Sequence, residues 1–174
     1  ILHAVFYQYD YLFRMSPFEI CRSTYSLNPF PESLPIADYI REHTQPDDKI
    51  TVFGSEPQVF FYAQRRSASG YIYMYPLMEH HEFALQMQKE FIRETQANTP
   101  EYCILFHVSS SWLQTKDSYI LLVEWMNHYI ETYYELVGTV EILEEQSVYH
   151  WYPDVKWPVS SECFIMVLKR HPDK

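Results

Sequence analysis

The run Tyr102-Cys103-Ile104-Leu105-Phe106-His107-Val108 most constrains what this chain can fold into. It is apolar almost throughout, without the alternation of a half-exposed strand, and reads as a strand covered on both faces. Such a strand needs a layer above and a layer below, and the flanking sequence offers helices for both. From Met78 to about Gln96 the pattern is helical, with Phe83, Met87 and Phe91 at i, i+4 and i+8 and Ala84 and Ile92 beside them. After Ser109-Ser110-Ser111-Trp112, read as a loop, Asp117 or Ser118 caps another helix carrying Leu122, Met126, Tyr129 and Tyr133.

The remaining elements follow the same alternation. Residues 1–32 show no sustained period, and Asn28-Pro29-Phe30-Pro31 holds the backbone extended, so they read as an extended N-terminal arm. Residues 33–174 read as a single α/β domain. Ser33 caps its first helix, Pro35 fits the first turn, and Ile36, Ala37 and Ile40 form the apolar face. Gln45-Pro46-Asp47-Asp48 is turn chemistry, and Ile50–Phe53 is the first strand, ended by Gly54. Ser55-Glu56-Pro57-Gln58 reads as a capping box, opening a helix through Val59, Phe60, Phe61 and Tyr62 that runs out at Arg65-Arg66. Ser69–Met74 is the second strand, and Leu136–Leu143 and Cys163–Leu168 are the last two. Between those two lies an aromatic, Pro-containing connection, Tyr149–Pro158, which reads either as a loop folded over the core or as an interaction surface. The order predicts a layered, Rossmann-like α/β domain. Its sheet would be mostly parallel and five-stranded, with helices on both faces and one antiparallel strand near the C-terminus.

Charge narrows the class of partner. The chain has 174 residues with 13 Lys and Arg against 23 Asp and Glu, a formal charge of −10. Its basic residues are scattered, so a phosphate backbone would be repelled and nucleic-acid binding is excluded. The longest uncharged stretch, Tyr102–Thr115, is 14 residues and falls short of a bilayer span. The chain opens Ile1-Leu2-His3 rather than with Met and reads as an excerpt or a processed product. Ile1–Tyr9 is apolar and uncharged, and is either the tail of a membrane helix or a first element packed on the core. Cys21, Cys103 and Cys163 show no metal spacing, and Cys103 and Cys163 read as small core residues.

The search for chemistry finds no catalytic set. In open α/β sheets, ligands settle beyond the carboxyl ends of the strands. Three loops fall there: Gly54–Pro57, Tyr75–His81 and Ser109–Trp112. None has the glycines of a dinucleotide fingerprint or the Gly-Lys-Ser/Thr ending of a phosphate loop, so no cofactor is implied. His80-His81-Glu82 approaches the zinc motif His-Glu-x-x-His, but Leu85 stands where its second His belongs. Adjacent histidines also diverge by about 100° on a helix, so no metal site is assigned. No Gly-x-Ser-x-Gly elbow exists, and His107 reads as a satisfied core histidine.

One block of the chain carries a resemblance. It begins Asn28-Pro29-Phe30-Pro31-Glu32-Ser33, then Ile36-Ala37-x-Tyr39-Ile40, then Gly54-Ser55-Glu56-Pro57-Gln58-x-x-Phe61-Tyr62. It continues through Arg65-Arg66-Ser67-Ala68-Ser69-Gly70-Tyr71-Ile72-Tyr73 and Leu77-Met78-Glu79 to Met87-Gln88-x-Glu90-x-Ile92 and Pro100-x-Tyr102. This block resembles the soluble C-terminal domain of bacterial membrane glycosyltransferases similar to dolichyl-phosphate-mannose–protein mannosyltransferases. The likeness is dense over residues 28–102 and thinner beyond. It implies a polytopic parent enzyme using a polyprenyl-phosphate sugar donor, with this domain on the extracytoplasmic face of a bacterial membrane. The implied partners are the membrane-embedded portion of the same polypeptide and a glycan or protein acceptor. It also makes Ile1–Tyr9 read as the exit of the last membrane helix. The family's catalytic acid lies in the membrane portion, so no catalytic residue is carried over.

Two functions therefore stand side by side. One is a non-catalytic acceptor-side or partner-interaction domain of such a transferase. The other is a module binding a sugar or nucleotide through the strand-end loops, with Ser55, Glu56, Arg65, Arg66, Tyr73 and Glu79 as polar contacts.

Overall fold

Side chains alternate across a strand, and along the central run they separate two cores. In the computed structural model, which describes residues 2–172, β3 (Tyr102–His107) sends Tyr102, Ile104 and Phe106 into one apolar cluster. Cys103 and Leu105 belong to the other. The first cluster takes Ile36, Ala37 and Ile40 from α4 (Phe30–Glu42) and Val59, Phe60 and Ala63 from α5 (Gln58–Ala63). The second takes Leu77 and Met78 from α6 (Tyr75–Met78), Phe91 from α7 (Ala84–Asn98), and Leu122, Met126 and Tyr129 from α8 (Leu121–Tyr133). Helices thus cover both faces of an α/β domain.

The sheet is open, mixed and six-stranded rather than five-stranded and mostly parallel. β1 (Lys49–Phe53), β2 (Arg66–Ser67), β4 (Tyr134–Glu141), β5 (Val148–Trp151) and β6 (Phe164–Arg170) complete it in the order β2-β1-β3-β6-β4-β5. β1 pairs in parallel with β2 and β3, whereas β3–β6, β6–β4 and β4–β5 are all antiparallel. β5 turns straight back on β4 and so pairs antiparallel. The helix-free connection 152–163 then carries the chain to the other side of β4, where β6 runs parallel to β5 and antiparallel to both β4 and β3. β5 and β6 both run against the rest, so one reversed strand becomes two.

Several local expectations change for identifiable reasons. Residues 2–32 are helical rather than extended: α1 (Leu2–Tyr7), α2 (Tyr9–Phe13), α3 (Pro17–Tyr25) and the start of α4. Ile1 lies outside the described residues. Ser16 and Glu19 form a reciprocal capping box around Pro17, which holds the start of α3. The prolines Pro29 and Pro31 sit at the cap and in the first turn of α4, where a missing N–H costs nothing. Ser33 and Ser55 cap no helix; instead the Ser33 hydroxyl donates to Pro29 O and accepts from Gln58 Nε2 at 3.0 Å, joining α4 to α5. No strand forms at Ser69–Met74; the second strand is the two-residue Arg66–Ser67 that precedes it. Gly70 N donates to Glu94 and the Tyr71 hydroxyl to Glu90, which draws the chain off the sheet edge toward α7. The helix foreseen from Met78 begins only at Ala84 and buries Ala84, Gln88, Phe91 and Thr95, leaving Phe83 exposed. Buried Gln88 donates to Leu77 O and Tyr119 O and accepts from Leu122 N, tying α6, α7 and α8 together.

The aromatic connection is folded in part over the core. Val148–Trp151 is the edge strand β5, and Trp151 stacks on Tyr39 of α4 with ring centroids 4.1 Å apart. Tyr152 and Trp157 stay exposed. No described helix is long and apolar enough to cross a membrane.

A buried ion pair fastens the helical arm to this body. Arg22 on α3 donates to Glu32 on α4, and the Ser147 hydroxyl donates to the same carboxylate oxygen. Arg22 Nε also donates to Leu143 O at 3.1 Å, so α3, α4 and the β4–β5 turn share one clamp. Removing one member leaves the other charge buried and unpaired, a cost of about 3 kcal/mol or more. Glu32→Ala should lower unfolding free energy by that amount in urea denaturation, while Ser147→Ala should cost only about 1–2 kcal/mol.

Candidate functional site

The parallel strands place the loops after β1 and β3 side by side at one edge of the sheet, where ligands of open α/β sheets settle. The first loop is Gly54–Pro57 and the second is a 3₁₀ turn, Ser109–Ser111, followed by Trp112. They meet through a buried hydrogen bond in which the Ser111 hydroxyl donates to Glu56 Oε1. Glu56 is 3% exposed, and its Oε2 has no hydrogen-bond partner among the described residues. That oxygen lies against Gly54, where a Cβ would overlap it and press on Phe106. Burial pushes the Glu56 carboxyl up to about 7, against the lowering effect of the Ser111 hydroxyl.

The third loop foreseen at this edge also arrives, although no strand delivers it. Met74 N donates to Ser55 Oγ at 3.1 Å, and the Tyr75 hydroxyl donates to Ser110 O. Tyr73 packs edge-on against Tyr75, with centroids 4.5 Å apart. Burial first, and then the neighbouring Tyr73, pushes the Tyr75 hydroxyl to about 12, so it remains a donor.

The six residues singled out from sequence therefore separate. Ser55, Glu56 and Tyr73 gather at this edge. Glu79 is exposed at the end of α6. Arg65 and Arg66 lie where α5 has returned the chain to the start of β2, at the opposite end of the strands. Arg65 is buried and spends its guanidinium on Thr44 Oγ1 and on the carbonyls of Arg41, Thr44, Ala63 and Gln64. It is a brace between α4 and α5, with no donor left for a ligand.

Beside the Glu56–Ser111 contact a cleft of about 910 Å3 opens between the ends of β3 and β6 and helix α8. His107, Ser109, Trp112 and Gln114 line it from β3 and the following loop, Met126 and Asn127 from α8. Glu162, Cys163 and Phe164 form the wall that leads into β6. His107, read from sequence as a core residue, is exposed here and stacks on Phe164 with centroids 4.4 Å apart. It is the last residue of β3, where the cover of the sheet ends. Trp112 is fixed by donating its indole N–H to Phe106 O at 2.8 Å. Cys163 is half-buried rather than core; burial and the adjacent Glu162 raise its thiol, the reverse of an activated nucleophile.

No family model, curated protein or solved structure matches the chain. Its chemistry is therefore read from the geometry alone. Among the described residues no three His, Cys, Asp or Glu side chains converge where they could hold a metal ion.

A second carboxylate sets the far wall. Glu141, at the end of β4, accepts from the amides of Ser160 and Ser161 at 2.8 and 3.1 Å, and from His150 and Lys156. Those contacts, the Ser160 amide first, hold its carboxyl down at about 2. They anchor the segment that runs directly into Glu162–Phe164. Sequence reasoning missed this cleft because its residues come from three separated segments, 105–114, 123–127 and 162–164; the exposed end of the Tyr102–Val108 run was the one local hint.

The two carboxylates give opposite pH effects. Glu56 binds its proton more tightly folded than unfolded, so its contribution is full below the ordinary 4.5 and is lost as pH rises through about 7. The loss should approach about 3 kcal/mol. Glu141 contributes above the ordinary carboxylate value, and that contribution falls away as pH drops toward about 2. Chemical denaturation of the wild type and Glu56→Gln between pH 5 and 8 should show the wild type losing stability relative to the variant; parallel curves would refute the assignment.

Proposed function

We propose that this chain is the non-catalytic, extracytoplasmic domain of a polytopic membrane glycosyltransferase using a polyprenyl-phosphate sugar donor. It sits on the membrane-embedded part of the same polypeptide and helps shape the side where a glycan or protein acceptor enters. The resemblance carried by Asn28–Tyr102 motivates the setting.

The observation that supports it most directly is the surface of α1 and α2. Phe6 is 81% exposed, Tyr7 79% and Phe13 64%, with Tyr9, Tyr11 and Leu12 exposed beside them. α2 buries nothing against the body. Aromatic side chains clustered outward on short helices suit a headgroup-level interface or a protein partner, since each has an apolar body and several a polar tip. Arg14 is the one Lys or Arg between Leu2 and Phe18, and it is paired with Asp10 at 3.2 Å. Attraction to anionic lipid is therefore a minor contribution, and apolar contact the major one. The Arg22 clamp then sets the orientation of the domain against whatever α1 and α2 touch.

The test is the complete gene product in its own cells. It should fractionate with the membrane, and an epitope tag placed in this domain should be cleaved by protease added from the extracytoplasmic side. A coding sequence without apolar segments of about 20 residues would refute the reading. Within the domain, Phe6→Ser with Phe13→Ser should leave unfolding free energy within about 0.5 kcal/mol, as exposed positions do. The same pair should weaken membrane or partner retention of the complete protein.

A further inference from the structure

We propose that the cleft between β3, β6 and α8 is a binding site for a neutral saccharide. The proposal rests on the cleft alone and does not require the membrane setting. At about 910 Å3 it falls within the range of small-molecule sites, roughly 300–1,000 Å3.

The lining selects the class of ligand. Trp112 and the His107–Phe164 stack give the cleft aromatic surfaces, and the indole is already immobilised by its bond to Phe106 O. A ring held in advance costs little ordering on binding. Around these surfaces stand the amides of Gln114 and Asn127, each with donors and an acceptor, and the Glu162 carboxylate, which only accepts. Neither amide makes a hydrogen bond to another group among the described residues, and both residues are exposed. A sugar ring has one apolar C–H face and a rim of hydroxyls that both donate and accept. Aromatic surface with free amides and a carboxylate around it matches that distribution.

The same lining argues against the competing classes. A nucleotide or sugar phosphate needs cationic partners for its charge. No Lys or Arg lines this cleft, and Glu162 would repel an anion. A hydrocarbon tail would strand the amides, the imidazole and the carboxylate without partners, a desolvation cost with no return. A covalent role for Cys163 is disfavoured by the raised thiol already described. The amides and carboxylate come from the loop after β3, from α8 and from the segment before β6, so ligand contact would be shared by three elements.

The experiment is NMR titration of this chain with methyl glycosides of glucose, galactose, mannose and N-acetylglucosamine and with neutral disaccharides, beside a sugar phosphate and uridine diphosphate. The expected result is saturable movement of the Trp112 indole and the Gln114 and Asn127 side-chain amide signals with at least one neutral sugar. The anions should produce none. Trp112→Ala should abolish the response, and Gln114→Ala and Asn127→Ala should each weaken it about tenfold. Those two positions are exposed, so their variants should keep the wild-type Tm even if Trp112→Ala fails to fold. Overturning results are no movement with any neutral sugar at solubility-limited concentration, preference for the anions, movement mapping outside the cleft, or amide variants that bind as tightly as wild type. None of these outcomes bears on whether the complete protein resides in a membrane, so the two proposals fail separately.

Discussion

The position of β6 governs the architecture. The last strand of the chain lies between β3 and β4, pairing Tyr102–His107 on one side and Tyr134–Glu141 on the other. Without it the β2-β1-β3 unit and the β4–β5 hairpin are separate sheets, and the central run has an open edge of unpaired backbone. Its insertion covers Ile104 and Phe106 on one face and Cys103 on the other with Ile165, Val167 and Leu168. It also places Cys163 and Phe164 against the end of β3, which creates the wall of the cleft. Contacts between chain segments far apart in sequence must therefore form before either core is closed, and pairing of that kind is slow.

Two buried carboxylates at this edge differ because of the company they keep. Glu56 has one hydroxyl donor and one oxygen without a partner, so removal from water dominates and the proton is retained. Glu141 collects two backbone amides, an imidazole and an ammonium, so its charge is fully compensated. The first joins the loops after β1 and β3; the second ties the segment before β6 to the end of β4. One contact is neutral and the other ionic, yet both hold loops around the same end of the sheet.

Sequence pattern was strong where burial was continuous and weak where long-range partners decided. The Tyr102–Val108 run located β3 and implied layers on both faces, because seven nearly unbroken apolar positions leave no solvent side. The helix at Leu121 was legible from Leu122, Met126 and Tyr129. Ser16-Pro17-Phe18-Glu19 carried a complete capping signal that the nearby prolines obscured. At the site, Glu56 was singled out, but its partner Ser111 is 55 positions away and no local pattern joins them. Arg65 reads from sequence as a polar contact, yet its donors are taken up by the Thr44 hydroxyl and by carbonyls that only the return of α5 brings near. Asn127 and Gln114 carry no local signal; they matter because the end of β3 is left uncovered.

The Arg22 clamp has a mechanical consequence. It fastens α3 to both α4 and the β4–β5 turn through Glu32, Ser147 and Leu143, positions separated from Arg22 by as many as 125 residues. A pull on the outward aromatic helices is therefore not absorbed by the first helical segments alone. It is delivered through one guanidinium to the turn following β4, the strand whose last residue is Glu141. That route makes the arm a lever with its fulcrum at the sheet edge, so tilting it would strain the same edge that forms the cleft.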